Sequence, residues 1–99
     1  NDTGYFYITF DGNYIWMDDE GYKNMAMYFN KQSSSLDYTL YQLDRDGKLV
    51  AKRTIPDEEK IFSIMHGDSR RMFMFSFVNN RIVYIDKSNI EKGDIKELR

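Results

Sequence analysis

The chain has 99 residues, enough for one hydrophobic core and too few for two comfortable ones, so a single domain over 1–99 is expected. With 41% apolar and 30% charged residues it reads as folded, not disordered. Its formal charge of −2 is spread along the chain, which argues against a phosphate-neutralising nucleic-acid surface or a polybasic membrane anchor. The absence of cysteine excludes disulfides, thiolate nucleophiles and Cys-ligated zinc, and no apolar run reaches the roughly 20 residues of a transmembrane segment. Asn1 at the start suggests that something upstream was removed: a signal peptide, a tag or the rest of a larger protein. The compartment stays open, with an extracytoplasmic or secreted location slightly favoured.

Eight Tyr, seven Phe and one Trp favour pleated, half-buried surfaces and supply material for a binding face. Turn residues recur every six to twelve positions between runs rich in Tyr, Phe, Ile, Val and Thr, the rhythm of hairpins. Strands are expected at about 5–11, 14–18, 22–30, 36–43, 48–55, 60–66, 70–78 and 81–86. Connections this short allow only antiparallel neighbours. The tail, 87–99, reads as a short helix or strap, with Ser88 as cap and Gly93 as terminator.

Along the first hairpin, a two-residue Gly12-Asn13 turn pairs Phe10 with Ile15 and Ile8 with Met17. This puts an aliphatic face on one side, read as core. Tyr5, Tyr7, Thr9, Tyr14 and Trp16 gather on the other, which offers a surface able to stack on sugar rings or anchor a partner, although a second core side is the commoner fate of such aromatics. Further on, Asp44-Arg45-Asp46-Gly47 carries the D-x-D-G fragment of calcium loops, but Lys48 follows and the late ligands are missing, so a hairpin turn closed by a Gly bulge is expected. Asn79-Asn80 suits a type I′ turn pairing Phe77 with Ile82 and Phe75 with Tyr84. That hairpin is apolar on both sides, with Phe73, Phe75, Phe77, Ile82 and Tyr84 on one and Met72, Met74, Val78, Val83 and Ile85 on the other. Strands apolar on both sides are covered on both sides, by a second sheet, the tail, a partner chain or an apolar ligand.

Chemistry-bearing residues are sparse. His66, near Asp68 and Ser69, reads as a turn histidine, because sequence neighbours in a tight bend rarely converge with an oxyanion donor. The acidic clusters Asp18-Asp19-Glu20 and Asp57-Glu58-Glu59 read as solvated loop tips. The alternating Met25 and Met27, and Met72 and Met74, read as fillers of irregular core gaps. No catalytic set, metal site or cofactor is called for.

Two stretches, Tyr41-Gln42-Leu43-Asp44-Arg45-Asp46-Gly47-Lys48-Leu49-Val50 and Asn80-Arg81-Ile82-Val83-Tyr84-Ile85-Asp86, resemble hairpins of bacterial β-propeller repeats. The resemblance spans less than a fifth of the chain and implies blade sheets buried on both faces by their neighbours.

The expected architecture is an all-β, antiparallel up-and-down meander of about eight short strands, forming a small barrel or two-layer sandwich, with a pair of propeller-like blades as the alternative. The expected function is a non-catalytic binding domain, taking a small ligand or glycan on Tyr5, Tyr7, Tyr14 and Trp16 or in a barrel interior. The alternative is a protein-interaction or assembly module acting through Met72, Met74, Val83 and Ile85, with a homo-oligomer among its outcomes. An enzyme using His66 or the acidic clusters ranks third.

Overall fold

The computed structural model describes residues 7–19, 21–22, 38–56, 61–65, 67–76 and 80–98. The described chain is all-β and forms two four-stranded antiparallel sheets, each a meander in sequence order. The first sheet holds β1 (Ile8–Phe10), β2 (Ile15–Met17), β3 (Tyr38–Leu43) and β4 (Leu49–Ile55); the second holds β5 (Ile61–Met65), β6 (Arg71–Ser76), β7 (Arg81–Asp86) and β8 (Lys96–Glu97). The two sheets share one core, in which Trp16, Leu40 and Ile55 of the first meet Met72, Met74, Val83 and Ile85 of the second, with Ile90 from the tail. The molecule is therefore two-layered; the eight strands do not curl into a single barrel. Among the described residues no helix is long and apolar enough to cross a membrane.

Turn chemistry fixes the hairpins. Gly12 takes a φ of 97°, and the resulting register is Phe10↔Ile15, Thr9↔Trp16 and Ile8↔Met17, as expected for Gly at the position needing positive φ. At the β3–β4 bend Gly47 has a φ of 87° and donates its N–H to the Asp44 carbonyl at 3.0 Å. The ladder shifts between Gln42 and Leu43, the bulge that accompanies such a turn. The β6–β7 hairpin departs from expectation: its register is Phe75↔Ile82 and Phe73↔Tyr84, two residues away from the one a two-residue Asn79-Asn80 turn would set. Strand β6 ends at Ser76, and only Asn80, with φ 51°, keeps a turn conformation within the described residues. A slip of two leaves every side chain on its own face, so polarity alternation does not distinguish the two registers.

Two further expectations change. Tyr22 closes a helical turn, donating its N–H to the Asp18 carbonyl at 2.9 Å; the rest of the strand expected over 22–30 lies outside the described residues. In the tail a 3-10 helix spans Lys87–Asn89, capped by Asp86 in place of Ser88. The Gly93 N–H closes the following turn on the Asn89 carbonyl at 2.8 Å, and the chain then adds β8 to the sheet beside Val83 and Tyr84.

The sheets follow one plan. Ile15↔Leu43, Trp16↔Gln42 and Met17↔Tyr41 in the first have counterparts in Met72↔Ile85, Phe73↔Tyr84 and Met74↔Val83 of the second. The bends match too. Asp11 and Asp68 each accept N–H bonds from residues two and three further on, and Asp44 and Asp86 each accept one from two further on. Because side chains alternate across a strand, each sheet has a front carrying Trp16 or Phe73 and a back carrying Met17 or Met74. The front of the first sheet packs on the back of the second, so both sheets face the same way.

Candidate functional site

The aromatic residues picked out from the sequence do not form an open platform. Trp16 is fully buried and Tyr7 is packed against the same core; Tyr14 is 36% exposed and stands edge-on to Trp16, ring centroids 6.2 Å apart. Tyr5 lies outside the described residues. Both faces of the first hairpin are apolar and partly covered: the front is closed by the second sheet, while on the face expected to be core Met17 is fully buried but Ile8 and Phe10 are 42% and 52% exposed. The reason is energetic. Indole is the largest apolar group on the hairpin and gains most from the inter-sheet space, provided its N–H finds an acceptor there. Met72, Met74, Val83 and Ile85 are likewise fully buried; the cover their double-sided hairpin required is the first sheet, so these four are core and not an exposed interaction surface.

The acceptor for Trp16 is Asp11. Its Oδ1 accepts the N–H groups of Asn13 at 2.9 Å and Tyr14 at 2.8 Å, and its Oδ2 accepts Trp16 Nε1 and Lys87 Nζ, both at 2.8 Å. Lys87 also sits 5.5 Å from the Trp16 ring centroid, within cation–π range. The Lys87 and Asp11 side chains are only 10% and 13% exposed. Burial works against the Asp11 charge, but the Lys87 ammonium, the Tyr14 and Asn13 N–H groups and the indole outweigh it and hold the carboxyl well below its usual range. This junction fastens the two sheets through a saturated carboxylate. Beside it opens a cleft of about 610 Å³ lined by Asp11, Tyr14, Gln42, Arg70 and Asn89 among others. A second tie is Arg53, whose Nη1 donates to the Gly93 carbonyl at 2.8 Å and the Ile90 carbonyl at 3.1 Å.

The acidic pair expected to be solvated is instead engaged. Asp18 accepts the Gly21 N–H at 2.8 Å, the Tyr7 N–H at 3.2 Å and the Tyr38 hydroxyl at 3.3 Å. Asp19 accepts the Tyr41 hydroxyl at 3.0 Å and the Thr39 N–H at 3.1 Å. Burial nonetheless pushes the Asp19 carboxyl up, against the pull of Tyr41 and Thr39 and with the help of the Asp18 charge. The pair pins the helical turn to the back of the first sheet, where Tyr22 stacks flat on Tyr41 at 4.1 Å. Asp44 spends its Oδ1 on the N–H groups of Asp46 and Lys48, both at 2.9 Å, which makes that segment a capped turn. His66, Glu20, Asp57, Glu58, Glu59, Met25 and Met27 lie outside the described residues. Among the described residues no group of three or more His, Cys, Asp or Glu gathers that could hold a metal ion.

The front of the second sheet is the counterpart of the covered front of the first. Phe73, Phe75, Ile82 and Tyr84 are half-buried there, and Leu98, whose N–H bonds the Ile82 carbonyl at 2.8 Å, is 39% exposed. At its rim Asp68 Oδ2 accepts Arg71 Nε at 2.8 Å. The guanidinium lies 5.1 Å and 5.3 Å from the Phe73 and Tyr84 rings, which meet edge to face at 6.1 Å. Arg71, with the N–H groups of Arg70 and Arg71, holds the Asp68 carboxyl well below its usual range.

Asp11, Lys87 and Arg71 were not singled out by sequence reading, and Asp68 entered it only as a neighbour of His66. The available signal is the Asp recurring at strand ends, at positions 11, 44, 68 and 86. Comparison of the chain with protein-family models, with curated proteins and with solved structures finds no match.

Proposed function

We propose that this domain is a protein-interaction and assembly module whose second sheet receives a further protein layer on its front. The observation that carries this reading is the half-buried apolar row of Phe73, Phe75, Ile82 and Tyr84, placed where the first sheet has a front packed against another sheet. An apolar face of this kind on a small domain marks an interaction site. Sedimentation velocity of the full chain over a range of concentrations tests it. Association that weakens on Phe75→Ser is expected, and a strictly monomeric species up to about 1 mM, where contacts worth about 4 kcal/mol register, overturns the reading.

The alternative, a small-ligand binder, is favoured by one observation: the cleft of about 610 Å³ with Tyr14 at its edge. It lies within the size range of ligand pockets. Titrating a glycan panel while following Trp16 fluorescence tests this alternative, since Trp16 touches both Tyr14 and Lys87; an unchanged signal at millimolar ligand counts against it.

A further inference from the structure

The cleft beside the Asp11–Lys87 junction holds a polar group whose hydrogen bonds the chain leaves unmade. We propose that this cleft binds an uncharged saccharide, with the Gln42 amide at its base bonded to two neighbouring hydroxyls, Asn89 on the opposite wall and Tyr14 as an apolar side. This rests on the small-ligand alternative above and gives it a ligand class and a recognition residue.

Three observations carry the inference. First, Gln42 is only 5% exposed and lines the cleft, and among the described residues its side-chain amide has no hydrogen-bond partner. Its cross-strand neighbours offer none: the Trp16 N–H goes to Asp11, and Ala51 has an apolar side chain. A buried amide left without a partner is costly. The fold does not require one there, because the second sheet sets Tyr84 at the equivalent place. A primary amide presents a donor and an acceptor side by side, and two adjacent hydroxyls, each able to give and to accept, complement that pattern.

Second, the rest of the lining has the mixture that a sugar ring needs. Tyr14, 36% exposed, and Val50, 48% exposed, supply apolar surface for the C–H face of the ring. Asn89 and Ser69 line the cleft as well and are exposed, so their polar groups are within a ligand's reach. Third, the charges do not select an ion. Asp11 and Lys87 bond each other, and Asp86 accepts the N–H and the hydroxyl of Ser88. The remaining charged groups on the walls are Arg70 and Glu91, one of each sign, so neither a phosphate nor an ammonium group meets a surplus of opposite charge.

The test is an NMR titration of the isotope-labelled full chain with glucose, galactose, mannose, maltose, cellobiose and lactose, and separately with glucuronate, glucosamine and uracil. At least one neutral sugar is expected to shift the Gln42 side-chain amide signals together with the Tyr14 ring signals at millimolar concentration. Gln42→Met keeps the length of the side chain without its hydrogen bonds and is expected to weaken that binding on the order of tenfold, the scale of a hydrogen bond lost. Asn89→Ala, at the exposed rim, serves the same comparison should Gln42→Met not fold. Neutral sugars that leave the Gln42 signals unmoved, or that bind the variant as well as the wild type, overturn the proposal. If only glucuronate, glucosamine or uracil moves those signals, the uncharged saccharide falls and the small-ligand reading stands. If nothing moves them, both fall, and the amide is served by water alone.

Discussion

Asp11 and Asp68 occupy the same position in equivalent bends and use Oδ1 in the same way, yet their other oxygens have different fates. Asp11 reaches Lys87, 76 residues away at the start of the 3-10 helix that follows the second sheet's β7, in a pair whose side chains are 13% and 10% exposed. Asp68 settles for Arg71, three residues away, with both side chains 41% exposed. The local half of each arrangement, a carboxylate capping its own turn, is a property of the sequence. The other half is set by what lies opposite. A pair taken out of water becomes a fastening whose rupture strands a charge, whereas an exposed pair is screened and contributes little.

Substitutions at matched positions sharpen or break this contrast. The largest effect is expected at the rings: Trp16→Ala should cost about 3–5 kcal/mol in chemical denaturation, the range for a fully buried large aromatic. Phe73→Ala should cost about 1 kcal/mol, as for partial burial. Equal costs would mean that the second front is as much a core as the first. Next come the cations. Lys87→Met leaves the Asp11 charge without its cross-sheet partner and should cost about 1.5–3 kcal/mol, the scale of a hydrogen bond to a charged group; Arg71→Met should leave the unfolding midpoint of the monomer close to that of the wild type.

The same contrast has a pH signature. The folded-state carboxyl of Asp11 is depressed, so its contribution is fully present above the unfolded value of about 3.9 and is lost as pH falls below it toward the folded one. Acid unfolding followed by circular dichroism should show a shallower loss between about pH 5 and 2 in Lys87→Met than in the wild type. An identical slope would remove Lys87 as the cause of the depression. The smallest contrast concerns the residue preceding each Asp. A Cβ at Gly67 would lie 1.7 Å from the Arg71 carbonyl oxygen, so Gly67→Ala should destabilise by about 1 kcal/mol or more. Phe10, at the equivalent place, points into solvent, and Phe10→Ala should stay within about 0.5 kcal/mol in the same denaturation assay. A costly Phe10→Ala would show that its ring is already packed in the single chain.

Much of the fold was legible before any coordinates. The antiparallel hairpins, the Gly12 and Gly47 bends and the division of each strand into two faces all follow from local chemistry, and that division survived a two-residue slip at Asn80–Arg81. Site reading went less far. Trp16 was placed on the correct face of its hairpin, but that face was left between surface and second core side; Met72, Met74, Val83 and Ile85 were read as requiring a cover, with a second sheet as one of four candidates for it.

What the amino-acid sequence determined by itself is therefore parity and punctuation: which side chains sit together on a strand face, and where the chain turns. Only the tertiary structure decided which of two apolar faces is interior, which aspartate receives a cation from across the sheets, and that the tail contributes β8. The physical reason is that alternation and turn propensity depend on neighbours a few residues apart, whereas burial is a relation between surfaces brought together from distant parts of the chain.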